Sequence, residues 1–487
     1  MKNAVLCLGI AILFIRSAHA QHQDLGEKPS IWRGFFHAVD DSATLLTSFR
    51  QGQFNGHFRY FFMATDNAAG HRDYYANAAG GGIRYESGAW NGFQVGISGF
   101  FIFNVGSSDL GQRDSLTNAA NRYETGLFDV EDPYNRTDID RLEEFQVKYN
   151  FKKSHIQFGK MLINSPLINL QDGRMRPTGT EGVWIDFREI NKLRIEGGFL
   201  YGFSPRGTTR WFRGARSIGV YPVGVNSDGT RSGYFNNLSS QGVGVIGMRY
   251  NPVPIIRIQV WDYYIDAIQN SLLIQIDFSP RQHTSVLGAH EQGSSREKTG
   301  IFGGVQFIRQ DALANGGNAD PSKTYTAKNA RAMTIGAQAG WRADDWEYSL
   351  NYNRITAHGR YLFPREWGRD PFYTFMPRER NDGFADVHAV VGRVQWNKSR
   401  YGFTSGLSAG YFRMPDVRDF EKNKYGMPSY TQINADLRYA SKGIFKGMET
   451  QLLIVGKLRN GEVYNDKRYV VNKVDMILYN LVVNYHF

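Results

Sequence analysis

The side chains best placed for chemistry in this chain are guanidiniums. Arg174 and Arg176 stand two residues apart in the segment 164–182, N-S-P-L-I-N-L-Q-D-G-R-M-R-P-T-G-T-E-G, with Asp172 just before them. Pro166 and Pro177 stiffen that segment, because the pyrrolidine ring fixes φ. Two arginines on a stiff loop make a fixed positive field for anionic groups, with Asp172 set to oppose it. Bond-making chemistry has no such foothold. The chain contains no H-E-x-x-H pair and no Walker-type phosphate loop, the spacings that would set up a metal-bound water or a nucleotide. We expect no enzyme and no cofactor. The 11 histidines are scattered and the single cysteine is Cys7, so no zinc ligand set is visible. Asp129, Glu131, Asp132, Asp138 and Asp140 form an oxygen-rich cluster of the kind calcium takes, but without EF-hand spacing; a solvated loop is the plainer reading.

A loop of this kind needs a frame, and the flanking residues describe one. Phe54, Gly56, Phe58, Tyr60 and Phe62 alternate with Asn55, His57 and Arg59, and Phe93, Val95, Ile97, Gly99, Phe101 and Phe103 alternate with Gln94, Gly96 and Ser98. This is the period of a strand with one apolar face. The rhythm recurs along the chain and predicts about 18 strands, an even number as a single-chain barrel requires. Short turns at 150–154, 189–192, 251–254, 343–345 and 397–400 alternate with long polar segments at 104–141, 163–180, 204–240, 309–330, 357–386 and 414–430. Turns on one rim and loops on the other are the pattern of an outer-membrane barrel; the stretch 279–299 is long where a turn is due. The fold expected is all-β, a transmembrane antiparallel up-and-down β-barrel over residues 51–487, after a lead-in at 21–50.

The second face of the strands carries charges of both signs, among them Arg59, Arg84, Arg188 and Arg194. Burying one such charge in a dry core costs several kcal/mol, so a dense array implies water inside the barrel. Arg174 and Arg176 then mark a constriction, with Arg59, Arg84, Arg188 and Arg194 on the channel wall.

Residues 1–20 read as a secretory signal: Lys2, an apolar run over 4–15, and Ala18-His19-Ala20 as a cleavage site. That run is too short to span a bilayer as a helix. Cys7 leaves with it, and an exported chain without disulfides suits a closed barrel. The mean hydropathy of −0.43 is that of a soluble protein, which does not exclude barrel strands that show only alternate residues to lipid. The net charge of +11 is scattered through strand patterns, so basic loops or a basic lumen fit better than a nucleic-acid partner. At the far end Tyr479, Leu481, Val483, Tyr485 and Phe487 alternate with Asn480, Val482, Asn484 and His486. We expect this strand to close the barrel against 54–62, its aromatics in the interfacial girdle and its polar face toward water.

Two stretches resemble a known family. The segment 158–182 is similar to the D-[GS]-R-x-x-P region of OprD (porin D)-type outer-membrane porins, and 359–374, G-R-Y-L-F-P-R-E-W-G-R-D-P-F-Y-T, is similar to their P-x-x-W-G-x-D-P-x-x-T stretch. The resemblance implies an 18-stranded barrel, often a homotrimer, in which a ladder of lumenal arginines guides carboxylate-bearing solutes through a narrow eyelet. By matching position Arg174 falls in the inward-folded loop; Arg194 follows in the next hairpin without a motif of its own. Met175 and Arg176 depart from the more apolar residues of many relatives. The function expected is a bacterial outer-membrane porin, lipid-embedded, passing small hydrophilic solutes such as amino acids, short peptides and organic acids. The alternatives are a surface receptor or adhesin with an occluded barrel, and a membrane-embedded hydrolase with a Ser/His/Asp cluster at the outer rim.

Overall fold

Strand forms wherever the period-two alternation runs. A computed structural model describes residues 41–171, 173–279, 299–379, 381–398 and 401–487; the expected signal at 1–20 and most of the expected lead-in fall outside these. In chain order the strands are β1 (Gln53–Asp66), β2 (Tyr74–Glu86), β3 (Phe93–Ser107), β4 (Arg141–Phe151), β5 (Ser154–Met161), β6 (Gly179–Phe187), β7 (Leu193–Ser204), β8 (Phe212–Arg213), β9 (Val243–Tyr250) and β10 (Ile256–Ile265). They continue as β11 (Gln269–Phe278), β12 (Gly300–Ala312), β13 (Arg331–Ala343), β14 (Trp346–Ile355), β15 (Val387–Lys398), β16 (Phe403–Arg413), β17 (Tyr430–Ala440), β18 (Met448–Arg459) and β19 (Met476–His486). β8 is a two-residue ribbon against β7, which pairs directly with β9. The other eighteen strands pair antiparallel with their neighbours, and β1 pairs with both β2 and β19. The sheet is therefore closed, with no edge left to water or lipid.

At the junction Ala64, Phe62, Tyr60 and Phe58 lie opposite Tyr479, Leu481, Val483 and Tyr485. Gly56 and Phe487 exchange both backbone hydrogen bonds, at 2.7 and 3.1 Å. Phe487 lays its ring over Gly56, where a Cβ would meet it at 2.2 Å, and stacks on Tyr485. The two faces differ sharply: Phe54 is 72% exposed while His57 and Arg59 are buried. In a bilayer the exposed aromatic and aliphatic set faces lipid.

Seven long connections (108–140, 162–178, 205–242, 313–330, 356–386, 414–429 and 460–475) leave from one rim, and hairpins such as 152–153, 188–192 and 344–345 from the other. Lys152, Lys192 and Asp344 hold positive φ in those hairpins, the conformation that matches strand twist. The long stretch noted after β11 is 280–298, outside the described residues. Residues 45–50 of the lead-in form a short helix capped by Thr44.

β2 begins nine residues earlier than the alternation Ile83–Glu86 suggests. Its first half, Y-Y-A-N-A-A-G-G-G, has no apolar contrast to read. Smallness there is set by packing: a Cβ on Gly80 would lie 2.8 Å from the Phe100 ring and 2.9 Å from the Met175 methyl.

Candidate functional site

Residues 162–178 make contact after contact with inward-facing side chains of the barrel. Ser165 Oγ donates to Ile168 O at 2.9 Å, closing a turn beside Pro166. Leu167, Ile168, Leu170 and Met175 are buried. From β10, Tyr263 donates to Ser165 Oγ at 3.1 Å and accepts from Leu167 N–H at 3.2 Å. From β1, the Arg59 guanidinium donates to the carbonyl of Arg174 at 2.7 Å. From β4, Arg141 donates to the carbonyl of Pro177 at 2.6 Å. The segment thus touches strands far apart around the ring.

A second segment, 356–386, makes the same kind of contact. Gln269 of β11 and Gln310 of β12 both donate to Leu362 O, and Gln306 donates to Pro371 O. Arg393 of β15 donates to Tyr373 O at 2.6 Å, Gln432 of β17 to Pro377 O at 2.7 Å, and Lys457 of β18 to Arg378 O at 2.5 Å. The two segments also hold each other. Asn169 N–H donates to Trp367 O at 3.1 Å, its side-chain amide donates to Arg369 O, and its side-chain oxygen accepts from Arg369 N–H. Gln171 donates to Arg365 O at 2.5 Å. Gly368 passes so close that a Cβ would sit 1.9 Å from Leu167 O. Trp367 is fully buried, stacked on Phe203 at 4.2 Å with its indole N–H donating to Ser217 Oγ at 2.8 Å. The two motif stretches of the sequence are therefore one assembly, clasped at Asn169.

Beside this assembly lies a cavity of about 1710 Å³. Its walls include Asn118, Phe420 and Arg468 in the long loops, and Thr404, Arg438 and Glu449 near the hairpin rim. The cavity reaches toward both ends of the barrel. Thirteen Arg and Lys side chains line it against four Asp and Glu. Arg174, Arg206 and Arg378 form a group without a carboxylate bonded to any of them among the described residues: Arg174 donates to Gly173 O at 2.7 Å, Arg206 to Gln171 O at 2.9 Å, and Arg378 to the Asn480 side-chain oxygen at 2.8 Å. Burial, then the charges of Arg378 and Arg206, push Arg174 well below the ordinary guanidinium value. Burial, then Arg206, lowers Arg378 to about 10. Three like charges that destabilise one another are a ready site for an anion. Burial raises the carboxyls of Asp370, Glu379 and Asp382, so these three acids resist ionisation.

The residues singled out from sequence divide. Arg174 and Arg59 border the cavity. Arg176 does not: it is 1% exposed and off the cavity lining. Asp172 lies outside the described residues. Arg84, Arg188 and Arg194 face inward but are off the cavity wall and tied to carboxylates, Arg84 to Glu86 and Glu144, Arg188 to Asp186, Arg194 to Asp186 and Glu196. Arg206, Arg365, Arg369, Arg378 and Lys424, which do line it, have no pattern to betray them, although 359–374 contains two of them. No group of three or more His, Cys, Asp or Glu suited to a metal ion occurs among the described residues. The Asp129 carboxylate instead accepts from Glu131 N–H at 3.0 Å within its own loop.

A closed eighteen-strand barrel with an apolar outer face and a charged, water-accessible interior defines the class: an outer-membrane porin. Residues 49–279 match the family described as outer membrane porin, OprD family. Solved structures with the same fold include Pseudomonas aeruginosa OccK3 (OpdO), at 15% identity over 91% of this chain and 97% of that one, TM-score 0.63. Acinetobacter baumannii OccAB1 matches at 12% identity over 92% and 99%, TM-score 0.67, and Pseudomonas aeruginosa OpdK with vanillate at 14% over 90% and 99%, TM-score 0.64. No curated protein matches the chain in sequence.

Proposed function

We propose that the barrel is a passive channel for small hydrophilic anions, carboxylate-bearing solutes foremost, narrowed by the two segments 162–178 and 356–386. The observation that carries this reading is the cavity lining of thirteen basic against four acidic residues, with Arg174, Arg206 and Arg378 grouped at the narrowing segments. Fixed positive charge in a confined aqueous path raises the local concentration of anions and excludes cations. Arg59 supports the site from behind, holding the Arg174 carbonyl while also bordering the cavity. Vanillate, present with OpdK, is itself a small carboxylate. Amino acids, short peptides and organic acids fit the same chemistry, and a homotrimer is the assembly we expect in the membrane.

The test is electrical. Purified protein in a planar bilayer should give discrete conductance steps, and a salt gradient should give a reversal potential of anion-selective sign. A folded barrel that conducts nothing ends the channel reading; one that conducts with cation preference leaves a channel but ends the anion reading.

A further inference from the structure

Off the cavity lining, the Arg176 guanidinium is 1% exposed, and none of its three nitrogens has a hydrogen-bond partner among the described residues. Two β4 residues, Arg141 and Glu143, lie within electrostatic reach of it. Both are almost fully buried. Arg141 spends its terminal nitrogens on Ser204, on the carbonyls of Pro205 and Pro177, and on Glu143 Oε1 at 3.0 Å. Its Nε and Glu143 Oε2 have no partner among the described residues. Among the described residues the group therefore gathers two guanidiniums and one carboxylate, an excess of one positive charge. The other acids in range are committed or remote: Asp129 accepts within its own loop, Asp140 is exposed, and Glu144 is bonded to Arg84. Burial, then Arg141, lowers Arg176 to about 9, as befits a guanidinium short of counter-charge.

The chemistry of the unmatched atoms says what completes the group. They are almost all donors: every N–H of Arg176 and one of Arg141, against a single carboxylate oxygen. Water accepts hydrogen bonds but brings protons that need acceptors of their own. An anion accepts several N–H groups, donates none, and cancels the excess charge. We propose that Arg176 and Arg141 hold a small inorganic anion of halide size between β4 and segment 162–178. Its place is separate from the cavity, and it stands whether or not the cavity conducts. Because Arg176 follows Arg174 by two residues, the anion pins the segment to the wall while Arg59 pins it at Arg174.

Two measurements on the full protein in detergent test this. Crystals soaked in bromide should show anomalous density within hydrogen-bond reach of the Arg176 guanidinium and Arg141 Nε. Thermal unfolding at constant ionic strength should show a lower midpoint in sodium gluconate than in sodium chloride. That shift should vanish in Arg176→Met and persist in Arg174→Gln, which separates this site from the channel arginines. Bromide density that is absent there, or a chloride dependence equal in Arg176→Met and wild type, overturns the proposal. Should Arg176→Met fail to fold, the bromide experiment on the wild type decides.

Discussion

Replacing Arg174 by Gln removes one charge from the group that borders the cavity and leaves a polar side chain of similar reach. Two unit charges 4 Å apart interact by about 1 kcal/mol in bulk water and about 4 kcal/mol at the lower effective permittivity near a protein surface. The proposed path is aqueous, so the smaller figure is the appropriate floor. A loss of about 1 kcal/mol is roughly a fivefold fall in anion occupancy. The same loss removes repulsion on cations, so the anion-to-cation permeability ratio should fall by at least about fivefold. Selectivity should weaken without inverting, since Arg59, Arg206 and Arg378 still line the path. The double variant Arg174→Gln/Arg378→Gln should fall further, by about the product of the single effects where the two act independently. Reversal potentials across a potassium chloride gradient read the ratio directly. A second readout guards against a misfolded variant: Arg206 and Arg378 oppose the Arg174 charge, so removing it should leave the unfolding midpoint unchanged or higher. Reversal potentials that match wild type in the single and double variants would refute the reasoning.

Trp367→Ala empties a fully buried site between Phe203 and Ser217 and should cost about 3–5 kcal/mol of local stability; limited proteolysis should cut 356–386 faster, and wild-type resistance would contradict the clasp. Gly368→Ala puts a methyl 1.9 Å from Leu167 O, so the two segments must part; single-channel conductance should change while the barrel stays folded, and an unaltered conductance would count against a shared constriction. Glu379, raised by burial and then by Asp370, and Asp370, raised by burial and then by Asp382, stay protonated above the ordinary carboxylate range. Anion selectivity should therefore grow as pH falls through their raised values, because negative charge leaves the wall. In that window the native state holds more protons than the unfolded one, so stability should decline as pH rises. Reversal potentials indifferent to pH above the ordinary carboxylate range would dismiss these acids as part of the field.

The barrel was legible because alternation is local: Phe54 to Phe62, or Tyr479 to Phe487, reports which residues share a face without knowing any neighbour. The first half of β2 was not, because alanine and glycine carry no contrast, and their smallness answers to Met175 and Phe100 across space. The arginine-bearing loop was visible from its prolines and its resemblance. Arg206 and Arg378 were not, since loops have no period. Only the folded contacts, Arg206 on Gln171 O and Arg378 on Asn480, bring them to Arg174. Register hid the fate of the wall arginines. Arg194 alternates inward as expected, but whether it projects a field depends on Asp186 of the neighbouring strand, which both Arg188 and Arg194 grip.

That difference between strand and loop has a physical origin. On a rigid ladder, side chains of one face recur at fixed spacing beside their cross-strand neighbours, so a buried guanidinium is tolerated where a carboxylate sits next to it. Arg84 lies between Glu86 and Glu144 in this way, and such a set is a local multipole whose field fades quickly with distance. A folded loop offers another acceptor, its own carbonyls. Arg174 donates to Gly173 O, Arg206 to Gln171 O and Arg360 to Val225 O. A neutral oxygen satisfies the N–H groups without cancelling the charge. Apart from Arg59, which donates to the neutral oxygens of Asn484 and Arg174, the wall arginines singled out from sequence supply rigidity, and the inward segments supply most of the net potential. Transplanting 162–178 and 356–386 together into a relative's barrel should carry the anion preference with them, and a chimera that keeps its host's selectivity would return the field to the strands.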